Sequence, residues 1–155
     1  MKDTFLVIFD VFNFGLLVFL WRFTIKHYAT LPQTIPVHFD FDGKADRFGN
    51  RKYSFLLPAL LTVFYFIFTW VSRDAGAANF PVEITEENKY AQFLIMEIFI
   101  RWLFVLIALI FLNSQDYMFR YSFDETVKPK VPLAISFLTV IGSLITVFIL
   151  VGLFK

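Results

Sequence analysis

The chain has 155 residues, 58% hydrophobic and 17% charged, with 23 phenylalanines and no cysteine. A soluble domain is about half apolar and about a quarter charged, so this composition excludes an ordinary globular protein; the missing cysteines exclude a disulfide framework, a thiolate metal site and a cysteine nucleophile. With a net charge of +1, nothing in the balance points to nucleic acid.

Four apolar runs follow one another along the chain. Thr4 to Trp21 is 18 residues long and interrupted by Asp10 and Asn13. It is long for the hydrophobic stretch of a signal peptide and lacks a small-residue cleavage site, so it reads as a retained span. Tyr53 to Val71 has 19 residues without a charge, and Pro58 either kinks it or marks its true start. Tyr90 to Leu112 has 23 residues and holds Glu97 and Arg101; Thr85-Glu86-Glu87-Asn88 before it suits a helix N-terminus. Val131 to Phe154 is again uncharged over 24 residues, with Pro129 and Pro132 bracketing its start. A helix rises ~1.5 Å per residue, so about 20 residues cross a ~30 Å hydrocarbon core. Helices satisfy every backbone amide where water is absent. The expectation is an all-α integral membrane protein, with four transmembrane helices forming one domain over residues 1–155. Trp21, Tyr28, Tyr53, Trp70 and Tyr90 stand near span ends, as interfacial aromatics do.

The loop 28–52 between the first two spans carries the most specific pattern. Pro32 and Pro36 stiffen its entry. From Val37 the residues alternate, placing Val37, Phe39 and Phe41 on one face and His38, Asp40 and Asp42 on the other. Asp42-Gly43 is a strong hairpin-turn pair, and a second short strand is expected from Lys44 to Phe48, before Gly49-Asn50 turns the chain. The third loop alternates too, with Tyr117, Phe119, Tyr121 and Phe123 facing one way, which predicts a small sheet capping that side of the membrane. Basic residues are distributed unevenly. Arg22, Lys26, Lys44, Arg47, Arg51, Lys52, Arg120, Lys128 and Lys130 make nine on the hairpin side, against Lys2, Arg73, Lys89 and Lys155, four on the other. The positive-inside rule then places the hairpin side in the cytoplasm and both termini outside.

Leu31-Pro32-x-x-Ile35-Pro36-x-His38-Phe39-x-x-x-Gly43-x-x-Asp46 resembles the signature of a bacterial membrane domain of unknown function. That domain forms the N-terminal part of the immunity protein against the sporulation-delaying toxin, the SdpI-like family. The match covers the loop and the start of the second span. The resemblance implies a multi-pass protein of the bacterial inner (cytoplasmic) membrane. Members with an assigned role protect against a secreted peptide toxin and relay its presence to a repressor. The immunity proteins have six spans against four here, and members often begin with a basic tail that places the motif loop outside, the opposite of the charge count above.

Two clusters carry chemistry. In the loop, His38, Asp40 and Asp42 at period two, with Asp46 across the turn, have donors that suit a divalent ion such as zinc. A single short strand rarely supplies three ligands, so they are weak metal candidates. The plain alternative is a solvated hairpin face, and an anchored loop that recognises a peptide or a partner protein is the preferred reading; no cofactor and no nucleophile–base combination is implied. Inside the spans, Asp10, Glu97 and Arg101 fall at similar depth, with Glu97 and Arg101 four apart on one helix face and able to pair. Charges in a bilayer face inward and pair, so the expected role is a structural clamp, with a proton, ion or partner site as the alternative. In the fourth span, Ser136, Thr139, Gly142, Ser143 and Thr146 form a small-residue stripe that packs within the bundle, the preferred reading, or against another protein. The phenylalanines are expected to face lipid. Together these features predict a non-enzymatic membrane protein of the immunity or sensing type, with the bilayer and a peptide toxin or membrane protein as partners. The alternatives are an accessory subunit of a larger membrane complex and, less favoured, a metal-dependent membrane enzyme.

Overall fold

The computed structural model describes residues 2–40, 42–74, 76 and 79–155, and the side chains from Thr4 onward within them. Among these, the order is α1 (Lys2–Tyr28), β1 (Thr34–Phe39), β2 (Ala45–Asn50), a short 3-10 turn (Arg51–Phe55), α2 (Leu56–Val71), α3 (Lys89–Tyr121) and α4 (Leu133–Leu153). All four helical segments are long and apolar enough to cross a membrane, counting the 3-10 turn with α2. This is a multi-pass membrane protein, mostly helical, with a two-stranded antiparallel hairpin between its first two spans.

Each helix ends for a local reason. Asn50 is extended and its side chain accepts from Lys52 N, capping the 3-10 turn that leads into α2. Pro58 falls in the first turn of α2, where its missing N–H breaks no helical bond, so it marks the start of the α-helix. Ahead of α3, Thr85 and Asn88 exchange bonds. Thr85 N donates to Asn88 Oδ1 (2.9 Å), and Asn88 N to Thr85 Oγ1 (3.3 Å). At the far end of α4, the buried Gln92 donates Nε2 to Val151 O (3.0 Å) and Phe154 O (2.9 Å), satisfying carbonyls that the helix end leaves open.

Helices α1, α2 and α3 form the core, where Leu17, Leu20, Leu61, Phe104 and Ala108 are buried together. Several phenylalanines belong here and not to the lipid face. Phe104 is almost fully buried, with the rings of Tyr65 and Phe68 edge-on to it, and Phe64 meets Phe111. Others such as Phe12, Phe66 and Phe148 are exposed as expected. Polar contacts register the helices: Trp21 Nε1 donates to Thr62 Oγ1 (3.0 Å), and the buried Gln115 Nε2 to Ser54 O (2.9 Å).

Two expectations are corrected. The third loop contributes no strand among the described residues, because α3 continues for 33 residues to Tyr121. The alternating aromatics Tyr117 and Tyr121 are instead one helical turn apart on a shared face. The stripe on α4 does not draw that helix into the bundle either. A Cβ on Gly142 would meet nothing within 4 Å, and Thr139, Ser143 and Thr146 donate to carbonyls of their own helix. Bulky α3 residues, Trp102 foremost, face the stripe, and Trp102 Nε1 reaches Ser143 Oγ at 2.9 Å.

Candidate functional site

The hairpin stands on the C-terminal turns of α1 and α3. Leu31 and Ile35 are buried against Met118 and Phe119, with Phe23, Val37 and Phe39 packed around them. Phe39 lies against both tyrosine rings of α3, at 4.6 Å from Tyr117 and 5.2 Å from Tyr121. Gly43 turns the chain at φ +80°, a conformation glycine adopts without a Cβ penalty. The Tyr117 hydroxyl donates to Gly43 O, and Ala45 N donates to Tyr121 Oη (3.3 Å), so two tyrosines of one helix face hold the tip. At the base, Arg51 donates to Leu31 O (3.2 Å) and lies 4.9 Å over the Tyr28 ring.

This geometry divides the motif. Leu31, Ile35 and Phe39 dock the hairpin, Pro36 is buried with them, Pro32 stiffens the approach and Gly43 makes the turn. His38 and Asp46 face outward, with His38 Nδ1 2.6 Å from Asp46 Oδ1. The register slips on both sides of His38, which pairs with Arg47, leaving Val37 extra on β1 and Asp46 extra on β2. Opposed bulges of this kind re-aim side chains and here bring the carboxylate to the imidazole. His38, Asp40 and Asp42 do not converge. Asp40 Oδ1 accepts from Asp42 N (3.0 Å) and Lys44 N (2.8 Å), so its carboxylate shapes the turn. Among the described residues, no group of three or more histidine and acidic side chains is placed to hold a metal ion. Phe41, expected on the face of Val37 and Phe39, lies outside the described residues. His27 bonds its own helix through Phe23 O (2.8 Å) and packs on Phe119.

A cleft of about 570 Å³ separates the hairpin tip from the α3–α4 connection. Its far wall is pinned by Asn113 and Asp116, which the sequence reading did not single out, and by Arg120, counted there only for its charge. Asn113 exchanges two bonds with the Val131 backbone (2.9 and 3.1 Å), and Asp116 pairs with Arg120 (2.9 Å) and Lys130 (3.1 Å). Arg120 also donates to Lys128 O (3.0 Å). The three side chains recur at spacings of three and four along α3, a polar stripe following the apolar run. Further along the connection, hydrogen bonds from the Thr126 hydroxyl (2.6 Å) and amide (2.8 Å) hold the Asp124 carboxyl below the usual range.

The spans bring Asp10 and Arg101 together. Arg101 Nε donates to Asp10 Oδ1 (2.7 Å) and Nη2 to Oδ2 (3.0 Å), a bidentate pair with the arginine side chain 10% and the aspartate 50% exposed. From Glu97 the guanidinium takes the main-chain carbonyl (3.0 Å), not the carboxylate expected from the four-residue spacing. Asn13 Nδ2 donates to Arg101 O (3.2 Å), tying α1 to α3 a second time.

Residues 15–62, spanning the second half of α1, the hairpin and the start of α2, match the family model described as a domain of unknown function, DUF1648. An uncharacterized protein of Archaeoglobus fulgidus is 30% identical over 82 residues, which cover 53% of this chain and 40% of the relative. The match therefore spans less than half the length of that relative. No solved structure matches. In its hairpin region this chain is thus similar to a family of membrane-type proteins whose function is unknown.

Proposed function

We propose that this is a non-enzymatic protein of the bacterial cytoplasmic membrane that binds a peptide or a partner protein at its hairpin end, in the manner of the SdpI-like immunity and sensing proteins. The cleft between hairpin and α3–α4 connection is the observation that carries the reading. Phe39, Tyr117 and Tyr121 line one side and Val127 and Val131 the other, while Asp42, Lys44, Glu125 and Lys128 supply charges of both signs. An apolar floor with a few placed polar groups suits a segment with one apolar face. Both walls are already held by hydrogen bonds, so little ordering entropy opposes binding. The outward His38–Asp46 pair adds a polar contact beside the cleft.

Native mass spectrometry after mild detergent extraction tests this. Wild-type protein is expected to carry a bound peptide or protein, and Val127→Trp, which fills the cleft, to lose it while staying folded. His38→Ala is expected to weaken the same complex. A wild type with nothing bound, or a complex that survives Val127→Trp, defeats the reading. The basic asymmetry supports a cytoplasmic hairpin. In intact cells, a cysteine at Asn50 should then resist impermeant thiol reagents and one at Asn79 should react; the reverse pattern puts the hairpin outside.

A second reading, an accessory subunit of a larger membrane complex, draws support from α4. An apolar groove of about 520 Å³ runs between α3 and α4 beside Gly142 and Ser143, open to another helix.

A further inference from the structure

The end of the three-helix core opposite the hairpin is open, because α2 stops early. α1 has 27 residues and α2 16, about 40 Å against about 24 Å. The rungs between them are Tyr28 with Phe55, Trp21 with Thr62 and Phe14 with Tyr65. Continued along both helices, they bring Ser72, the C-cap of α2, level with Asp10. On this last stretch Tyr65, Thr69 and Ser72 recur at spacings of four and three and share one face of the helix. With Asp10, Asn13 and Arg101 they form the polar part of the lining of a cavity of about 10 Å³, whose remaining walls are Phe68, Ile100 and Phe104.

That is about the space one water molecule needs. Asn13 is 5% exposed, and with its Nδ2 bonded to Arg101 O, its Oδ1 accepts no hydrogen bond from any described residue. A buried amide oxygen of this kind calls for a donor. The cavity excludes the other small ligands. Asp10 already holds the guanidinium with both oxygens, which leaves an anion no seat, and Arg101 opposes a metal cation. We propose that this is a hydration site: a water bound by Asn13 Oδ1 at the base of a polar vestibule that opens beside Ser72 and keeps the Asp10–Arg101 pair in contact with bulk water on the face opposite the hairpin. The half-exposed Asp10 carboxylate fits the same account, since a carboxylate facing hydrocarbon is strongly disfavoured and one beside a helix end can be reached by water.

Hydroxyl-radical footprinting of the protein in lipid nanodiscs, read by mass spectrometry, reports the side chains that touch water. With each rate divided by that of the free amino acid, to remove the higher intrinsic reactivity of the phenol ring, Tyr65, on the vestibule, should be oxidised several-fold faster than Phe66, its exposed neighbour on the lipid side. Asn13→Leu keeps the size of the side chain and removes the acceptor; it should bring Tyr65 down to the rate of Phe66. Thr69→Val leaves Asn13 in place, should act in the same direction, and decides the matter if Asn13→Leu does not fold. Equal rates at Tyr65 and Phe66 in the wild type, or a Tyr65 rate unchanged in the variant that folds, overturns the hydration site.

Discussion

The two ends of the bundle are finished in opposite ways. At the hairpin end, α1 and α3 meet a folded cap, and Leu31, Ile35 and Pro36 seal the space between them with apolar atoms. At the other end α2 stops short, and the gap is bordered by Asp10, Asn13, Thr69, Ser72 and Arg101. The three helices differ in length, at 27, 16 and 33 residues for α1, α2 and α3, and the short α2 carries no charge while α1 and α3 supply Asp10 and Arg101. Where three helices end together a cap can close them; where one ends early, polar side chains occupy the space that it vacates. Charged groups in a membrane protein are thus tolerated where the packing itself runs out.

If that contrast is right, the largest effect comes from the open end. Arg101→Leu withdraws both donors from Asp10 and should destabilise the protein by about 1.5–3 kcal/mol, the range for hydrogen bonds to a charged group, since Asp10 is half exposed. Thermal unfolding in detergent reads this, and adding Asp10→Leu should restore most of the loss. An Arg101→Leu protein as heat-stable as the wild type would mean that the pair does not hold this end together.

At the hairpin end the effects are smaller and local. Gly43→Ala places a Cβ at φ +80° and should cost about 1–2 kcal/mol of hairpin stability. Tyr117→Phe and Tyr121→Phe each remove one tip bond, for about 0.5–1.5 kcal/mol. Faster hydrogen exchange of the β1 and β2 amides, at an unchanged unfolding temperature of the spans, is the expected signature. Global unfolding at lower temperature would instead make cap and bundle one cooperative unit.

Much of the architecture was legible because each run's length and lack of charge state the span directly. The hairpin was legible through Asp42-Gly43 and the alternation before it. What escaped was the aromatic series after Leu112. Tyr117, Phe119, Tyr121 and Phe123 show a period of two, yet the apolar helix before them simply continues, so the tyrosines share one face by their spacing of four while Phe119 packs under Leu31 and Ile35. The α4 stripe misled for a similar reason: small residues permit close approach without bringing it about, and here the stripe meets α3 through the Trp102–Ser143 bond while Gly142 stays open. At the site, the divalent-ion donors were read from types and period alone, which cannot show that Asp40 turns back onto its own backbone. Likewise, Asn113, Asp116 and Arg120 carry no motif, and their role depends on where the α3–α4 connection runs.

The docking of the hairpin on α3 also sets an order of events during synthesis. Gly43 and Ala45 bond to tyrosines that lie 74 and 76 residues further along the chain. A ribosome adding about 5–20 residues per second needs about 4–15 s to cover that distance. A two-stranded hairpin is marginal by itself, and through that interval Leu31, Ile35 and Phe39 have Phe23 of α1 beside them but lack the Met118 and Phe119 side of their core. The cap is therefore the last part of the first three spans to become native, completed only when the final turns of α3 emerge.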